Sequence, residues 1–329
     1  MAQSISSAFV GDVFEDLLTA LVLKTDIFDK SLAALHTGFN KALYLPIIDV
    51  TGTLVQDYKA QPTLTTDSSG VPTYSEELIT LTDKMVFIDG INPNSWRAVW
   101  NEFAPDFNSL MLEMQVNPEL TRAFITKIVE RVSNVNAFNI WQGDVTTTGA
   151  TYAEYDGLLT KLLAAGGYID AKPTGTTGSF TASNINDYLN DVRQAMLAKP
   201  ELISHPDNKI VVSHTTMGLY QDAQVAISGK GATQSNITDF SQNQGEMLFY
   251  DIPLYASAGF PDDVLLGSRL SMDPLNSTMH VGMRNVDDTE NVKFERVNAY
   301  SESYFFKLAY SIGTEITTPS DIVLFDLRA

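Results

Sequence analysis

Apolar positions recur along this chain at two different spacings, and the switches between them divide it into segments. The first forty residues follow a three-to-four-residue period. They predict two short amphipathic helices, from about Asp12 to Leu23 and from about Phe28 to Leu35, with Gly38 as a stop. Neither buries a core of its own, so both predict an arm that packs on something else. From Leu43 to Ile88 the period becomes two. "ALYLPIIDV" predicts a strand that Pro46 confines to an edge or a bulge. "ELITLTDKMVFID" predicts one alternating strand, with Ile79, Leu81, Met85 and Phe87 on one face and Thr80, Thr82 and Lys84 on the other. Between them, "DYKAQPTLTTDSSGVPTY" has Pro62, Gly70, Pro72 and many hydroxyls. The whole predicts a long hairpin with a polar, extended tip from about Tyr58 to Tyr74.

Three helical patterns follow. "NPNSWRAVWNEFA" has Asn92 as N-cap and Pro93 at the first helical position, and "PDFNSLMLEMQV" begins at Pro105. The third opens at Asn117 and carries Leu120, Phe124, Ile128, Val132, Val135 and Phe138 as one stripe. Phe124 and Ile128 are expected to face a sheet. It stops at Gly143, where a positive φ is expected to end the helix. After a small, β-branched joint, "DGLLTKLLAAGG" predicts a short helix. "YIDAKPTGTTGSFTA" predicts a loop or hairpin. Ser183 or Thr181 is expected to cap a helix with Ile185, Leu189, Val192, Met196 and Leu197 as its apolar face. "NKIVVS" predicts a buried strand and "TTMGLYQDAQVAI" a helix. "EMLFYDIPLYAS" and "DDVLLGSR" predict strands joined through "AGFP". The last sixty residues are mostly strand: "MHVGMRN", "NVKFERV", "SESYFFKLAYSIGTEIT" and "DIVLFDL". Strands after an interleaved region predict an α+β fold.

Composition narrows the function. The 329 residues hold no cysteine, which excludes disulfides, thiolate catalysis and cysteine zinc sites. Lys and Arg number 21 against 40 Asp and Glu, a net charge of -19 with no basic stripe. Such a surface repels phosphate backbones, so specific nucleic-acid binding is not expected. No apolar run is long enough to cross a bilayer, and the N-terminus has no basic leader, so neither a membrane nor a secretory signal is expected.

Candidate chemistry is sparse. "SGKGAT", Ser228 to Thr233, departs from a phosphate loop because Gly231 follows Lys230, and a loop is the plainer reading. His205 and His214 lack metal-ligand spacing. "NVDDTEN", Asn285 to Asn291, lacks the spacing of a calcium loop. Asn236 and Asn276 begin sequons of the kind that arise by chance. No Ser-His-Asp set can be nominated. The chain is therefore read as no enzyme, with no catalytic residue, cofactor or metal.

Architecture is what remains, and its order resembles that of tailed-bacteriophage major capsid proteins with the Hong Kong 97-type fold. The resemblance runs along nearly the whole chain. Phe28 to Leu35 would lie in the N-terminal arm, Leu43 to Ile88 resembles the extended loop, or E-loop, and Asn117 to Gln142 resembles the spine helix of the peripheral, or P, domain. "WQGD" followed by "YDGLL" is similar to the exit into the axial, or A, domain. "YDIPLYASAGFPDDVLLGSRLSM" resembles an A-domain stretch, and "SYFFKLAYSIGTEITTPSDIVLFDL" the closing pair of strands. The resemblance implies an arm at 1–41, an E-loop at 42–90, a P domain at 91–144 and 275–317, and an A domain at 145–274 and 318–329. It implies a domain joint at Gly143, Asp144, Asp156 and Gly157, and intersubunit contacts from Asp57, Tyr58, Lys59, Val71 and Tyr74.

It further implies self-assembly as pentamers and hexamers into an icosahedral head in the virion, enclosing double-stranded DNA without specific binding and assembled in the host bacterial cytoplasm. Met1 lies only about forty residues before the first E-loop strand, so no scaffolding domain is expected before the arm. A separate scaffolding protein, or none, is implied, with portal and decoration proteins as further partners. Lys59 is read as solvated, with no crosslinking claimed. Two other readings stay open: an encapsulin-type compartment shell, which would enclose protein cargo, and a soluble α+β hydrolase.

Overall fold

The computed structural model describes residues 25–52, 70–91, 118–147, 153–228, 247–284, 292–296 and 304–328. The expected helices at 12–23, 92–104 and 105–116 lie outside the described residues. So do Asp57, Tyr58, Lys59, Asn236, the side chains of Val71 and Phe124, and nearly all of the Ser228–Thr233 and Asn285–Asn291 motifs.

The chain enters through a one-turn helix α1, Asp26–Asp29, and a short strand β1, Ala34–His36. This corrects the helix expected from Phe28 to Leu35. Ile27, Phe28, Leu32 and Ala33 are all buried in the chain's own core. That burial requires the chain to straighten after Lys30 and run parallel to β10, Met279–Arg284. Lys30 ties the turn down by donating to the Ala256 carbonyl at 2.5 Å. Asp26 accepts the Ala258 N–H at 3.0 Å. The expected arm is thus, over these residues, part of the subunit's interior.

Next comes a hairpin of β2, Ala42–Gly52, and β3, Gly70–Thr80, in continuous antiparallel register from Ala42 opposite Thr80 to Gly52 opposite Gly70. Pro46 and Pro72 are tolerated because a two-stranded ribbon consists of edges only. Gly70 to Tyr74, expected in the polar tip, belong to β3. The alternating strand expected from Glu77 to Asp89 is in fact two. After Leu81 the chain leaves the hairpin as β4, Thr82–Ile91, which pairs with β12, Tyr304–Ile316. The break inverts the expected faces: Ile79 is buried, whereas Met85 and Phe87 are exposed and Val86 and Ile88 pack inward.

Helix α2, Pro118–Gln142, has the 25 residues that the periodicity predicts, a length of roughly 37 Å. Its stripe holds at Ile128 and Val132, both buried. Towards its end the helix is enclosed on most sides, so Asn136, Ala137, Asn139, Ile140 and Trp141 are buried while Val135 and Phe138 are only half-buried. Two sheets account for this enclosure. One holds β1, β10, β12 and β11, Val292–Arg296, in that order, with β4 on the other edge of β12. The other runs β5 (Ile169–Asp170), β13 (Ile322–Asp326), β9 (Val264–Arg269), β6 (Asn208–Val212), β8 (Ile252–Ala256) and β7 (Met247–Phe249).

The six-stranded sheet is covered on both faces, which explains its continuous apolar runs. Ile322 and Leu324 of β13 join the core shared with α2, with α3 (Leu158–Ala165) and with the five-stranded sheet. Val323 and Phe325 point into a second core under α4, Ile185–Leu197, and α6, His214–Ser228; between these helices runs the one-turn α5, Pro200–Ile203. Leu197, expected on the apolar face of α4, is exposed. Neither Thr181 nor Ser183 caps α4 by its side chain. Their hydroxyls bond each other at 2.9 Å, while Asn184 Oδ1 accepts the Thr181 N–H at 2.7 Å.

Ile128 tests the stripe. Ile128→Asp is expected to place an unpaired carboxylate in the shared core and to cost about 3–5 kcal/mol. Denaturant melting of the purified variant measures it, and an unchanged midpoint would mean that this face of α2 is not the packed one.

Candidate assembly surfaces and the domain joint

Among the described side chains, those that anchor the hairpin lie at its root. Leu45 and Ile79 are buried, but Tyr44 is 64% exposed, Tyr74 73% exposed, and nearly every described β3 side chain faces water. A two-stranded ribbon without a covered face is marginal by itself. Of the expected contact residues, Val71 and Tyr74 lie on β3, and Tyr74 is exposed. On the neighbouring sheet, Met85 and Phe87 of β4 are more than half exposed, and Phe87 meets Phe305 of β12 at 5.8 Å.

Two glycines that the sequence pattern did not single out fix the root. Gly282 of β10 and Gly313 of β12 stand opposite each other in the ladder. A Cβ on Gly313 would lie 2.2 Å from the Thr80 carbonyl oxygen. One on Gly282 would lie 2.6 Å from both Ile79 and Phe39. The pair leaves a shelf on the sheet over which the β3–β4 bend crosses. An isolated glycine inside each strand pattern, in "MHVGMRN" and in "YSIGTEI", is the signal that could have revealed the close approach.

The joint is also a crossing of backbones. Gly143 accepts the Gly157 N–H at 2.8 Å and the Thr160 hydroxyl at 2.7 Å through its carbonyl, while its own N–H closes α2 on Asn139 at 2.9 Å. A Cβ on Gly143 would sit 2.0 Å from the Tyr155 carbonyl oxygen, and one on Gly157 would sit 2.6 Å from that of Asn139. The expected positive φ at Gly143 is not observed: the residues with that geometry are others, among them Gly166 and Gly259. Glycine is required here by proximity, not by a left-handed turn.

The two aspartates brace this joint. Asp144 accepts the Thr146 N–H at 2.8 Å, its hydroxyl at 2.6 Å and the Thr147 hydroxyl at 2.8 Å. These bonds, the Thr146 hydroxyl foremost, hold the carboxyl below its ordinary range. Asp156 accepts the Val145 N–H at 3.1 Å, and its carbonyl takes the Thr314 hydroxyl at 2.6 Å. Beneath lies a polar knot. Tyr310 donates to Asn136 Oδ1 at 2.9 Å, and burial pushes its hydroxyl up to about 12. Tyr155 is buried beside it and is raised well above its ordinary value for the same reason. Trp141 clips α2 to the six-stranded sheet, donating to Ser257 Oγ at 2.9 Å and meeting Phe260 edge-on at 5.0 Å.

Nothing in these surfaces assembles a reactive constellation. Among the described residues no group of three or more His, Asp or Glu could hold a metal, and no helix is long and apolar enough to cross a membrane. His205 accepts the Asp207 N–H at 3.2 Å, and His214 approaches Asp26 at 3.4 Å, so the two are local contacts of different elements. A histidine pair, half-buried His36 and buried His280, lies 3.0 Å apart, and no sequence spacing announced it.

This arrangement of a long helix, a five-stranded and a six-stranded sheet and a hairpin superposes on chains of solved capsid structures. A chain of the satellite phage P4 procapsid structure, which includes the size determination (Sid) protein, superposes with a TM-score of 0.58 at 13% identity, covering 95% of this chain and 90% of that one. The fold is the Hong Kong 97 type. A chain of the capsid of an empty GTA particle gives 0.51 at 13% identity, covering 91% and 96%, and one from the capsid of Myoviridae phage XM1 gives 0.51 at 12%, covering 91% and 90%. No protein-family model and no curated protein sequence matches the chain. In this α+β fold of Hong Kong 97 type, the hairpin stands where its root on the glycine shelf directs it, clear of the subunit's own core.

Proposed function

We propose that this chain is the shell subunit of a phage head. It assembles as pentamers and hexamers into an icosahedral capsid around double-stranded DNA. On this reading the five-stranded sheet with α2 is the P domain, the six-stranded sheet with α4 and α6 the A domain, and Gly143, Asp144, Asp156 and Gly157 the joint between them. Tyr74 and the rest of the hairpin, with Asp57, Tyr58, Lys59 and Val71 towards its tip, are contacts to the next subunit. The observation that carries the reading is the hairpin: twenty-two paired strand residues, Ala42–Gly52 and Gly70–Thr80, whose buried side chains, among the described residues, lie at the root. Ordering a residue costs about 1–2 kcal/mol, and a neighbour's surface supplies the missing burial. Repetition around a capsomer then turns weak contacts into a stable shell. The net charge of -19 suits a wall that packaged DNA slides past.

The virion is the resulting location, and the host cytoplasm the place of assembly. A separate scaffolding protein, a portal and decoration proteins are the partners this role calls for. Negative-stain microscopy of the expressed chain, joined to nuclease digestion of its particles, tests the proposal. Closed shells protecting nucleic acid are expected in the phage context. Shells that hold protein and no nucleic acid would replace the reading with a cellular compartment, and monomers under every assembly condition would overturn it.

A further inference from the structure

We propose that His36 and His280 form an acid-sensitive latch that holds β1, and with it the root of the β2–β3 hairpin, on the five-stranded sheet. His36 Nε2 lies 3.0 Å from His280 Nδ1, and the other His280 nitrogen meets the Thr317 hydroxyl at 3.2 Å. A bond between two imidazoles needs one ring to donate and the other to accept. When both rings carry a proton on every nitrogen, the bond becomes a contact between two N–H groups and two positive charges.

The surroundings do not soften that contact. His280 is buried, and Glu315 stands opposite it on β12, but the Glu315 carboxylate is already bound to Lys161 at 2.6 Å. Arg284 lies on the same face of β10, four residues further along. Asp83 of β4 is engaged by the Ser311 hydroxyl at 2.5 Å. β1 contributes no titratable group except His36, and the hairpin root offers Ile79, Thr80 and Leu81. Burial first, then the neighbouring His36, lowers His280 to about 4, and burial lowers His36 as well.

Ala34 at the start of β1 is buried in the core, so the latch acts on the His36 end of the strand, where the chain turns into the hairpin. β1 is three residues long and pairs with β10 alone among the described strands. Only five residues separate His36 from β2. Within them, Gly38 turns at φ 86°, Phe39 lies over Gly282, and Lys41 accepts the Leu81 N–H at 2.9 Å. Release of β1 therefore loosens the hairpin root. Its meaning for shell assembly rests on the function proposed above, whereas the latch itself is a property of one subunit.

The sign follows from the lowered values. A histidine kept neutral in the closed state and free to take a proton in the open one favours closure at neutral pH. That preference is lost as pH falls through about 6.5 towards 4. For His280 alone, opening of β1 rises about thirtyfold between pH 7.5 and 5.0.

Hydrogen exchange of the full-length chain at these two pH values, corrected for the intrinsic rate, reads this directly. Expected is a loss of protection of that size in peptides spanning β1, β10 and the hairpin root, with β6 and β13 unchanged. His280→Gln is expected to flatten the response. His36→Gln, at a half-buried position, leaves His280 buried and is expected to reduce the response without abolishing it, which covers the case in which the deeper variant fails to fold. Equal protection of the native chain at both pH values would overturn the latch, as would an undiminished response in the His36→Gln chain, or a loss spread equally to β6 and β13. The readout does not depend on particles: an intact pH response in a chain that never forms shells would sink the proposed function alone.

Discussion

Replacing Asp49 to Thr73 by a two-residue Asn-Gly turn is expected to leave a folded subunit that no longer forms shells. Ile48 and Tyr74 are paired across the hairpin, so a two-residue connection of this kind closes the shortened ribbon in register. The buried root, Leu45 and Ile79 over the glycine shelf, is retained. The described side chains near the cut, such as Thr73 and Tyr74, are exposed, so the core loses almost nothing and the thermal midpoint should move by no more than about 2 °C. On the proposed function, assembly would lose a contact at every subunit boundary. Because the shell depends on many weak contacts acting together, removing one from each copy is expected to abolish closed particles or leave fragments. Calorimetry with microscopy checks both halves. Intact shells of native heat resistance would show that the hairpin does not join subunits.

Gly143→Ala is expected to be the most damaging single methyl addition at the joint. Its Cβ would arrive 2.0 Å from the Tyr155 carbonyl oxygen and 2.7 Å from that of Asn139, and neither is the free end of a side chain. The chain crossing must separate, which strains the Gly157 N–H bond to Gly143 and the packing of Trp141 and Tyr155 beneath it. A cost on the order of 3–5 kcal/mol follows, or failure to accumulate as soluble protein. Gly218→Ala is the control. Gly218 lies within α6 with nothing within 4 Å of an added methyl and no left-handed backbone, so alanine is expected to be neutral or to stabilise by about 0.5–1 kcal/mol. Comparable losses from both substitutions would refute the crowding argument.

A buried stripe at helical spacing made α2 legible from its residues alone, to within one residue at its start. The reason is that 25 residues of continuous period average out local noise. The α+β class, the closing strands and the buried runs "NKIVV" and "DIVLFD" were legible for a related reason, since a strand covered on both faces has no polar side to interrupt it. Gly143 and Gly157, expected at a domain joint, lie where two stretches of backbone cross. Only the folded chain reveals the cause, because a backbone crossing brings together residues fourteen apart and leaves the same letter as a left-handed turn.

What the sequence by itself determined, then, is what depends on near neighbours in the chain: the long helix, the strand runs, the hairpin and the acidic surface. The tertiary structure alone decided the rest. Phe28 to Leu35 carries a helical pattern, yet β10 recruits Ala34–His36 as a strand because Ile27, Phe28 and Leu32 reach the core only from that path. Residues 77–89 read as one alternating strand, yet they divide at Leu81 because their partners, β2 and β12, belong to different sheets. His36 and His280 meet across 244 positions. No local period records such a pairing, since the energy that makes it comes from burial against residues distant in the chain.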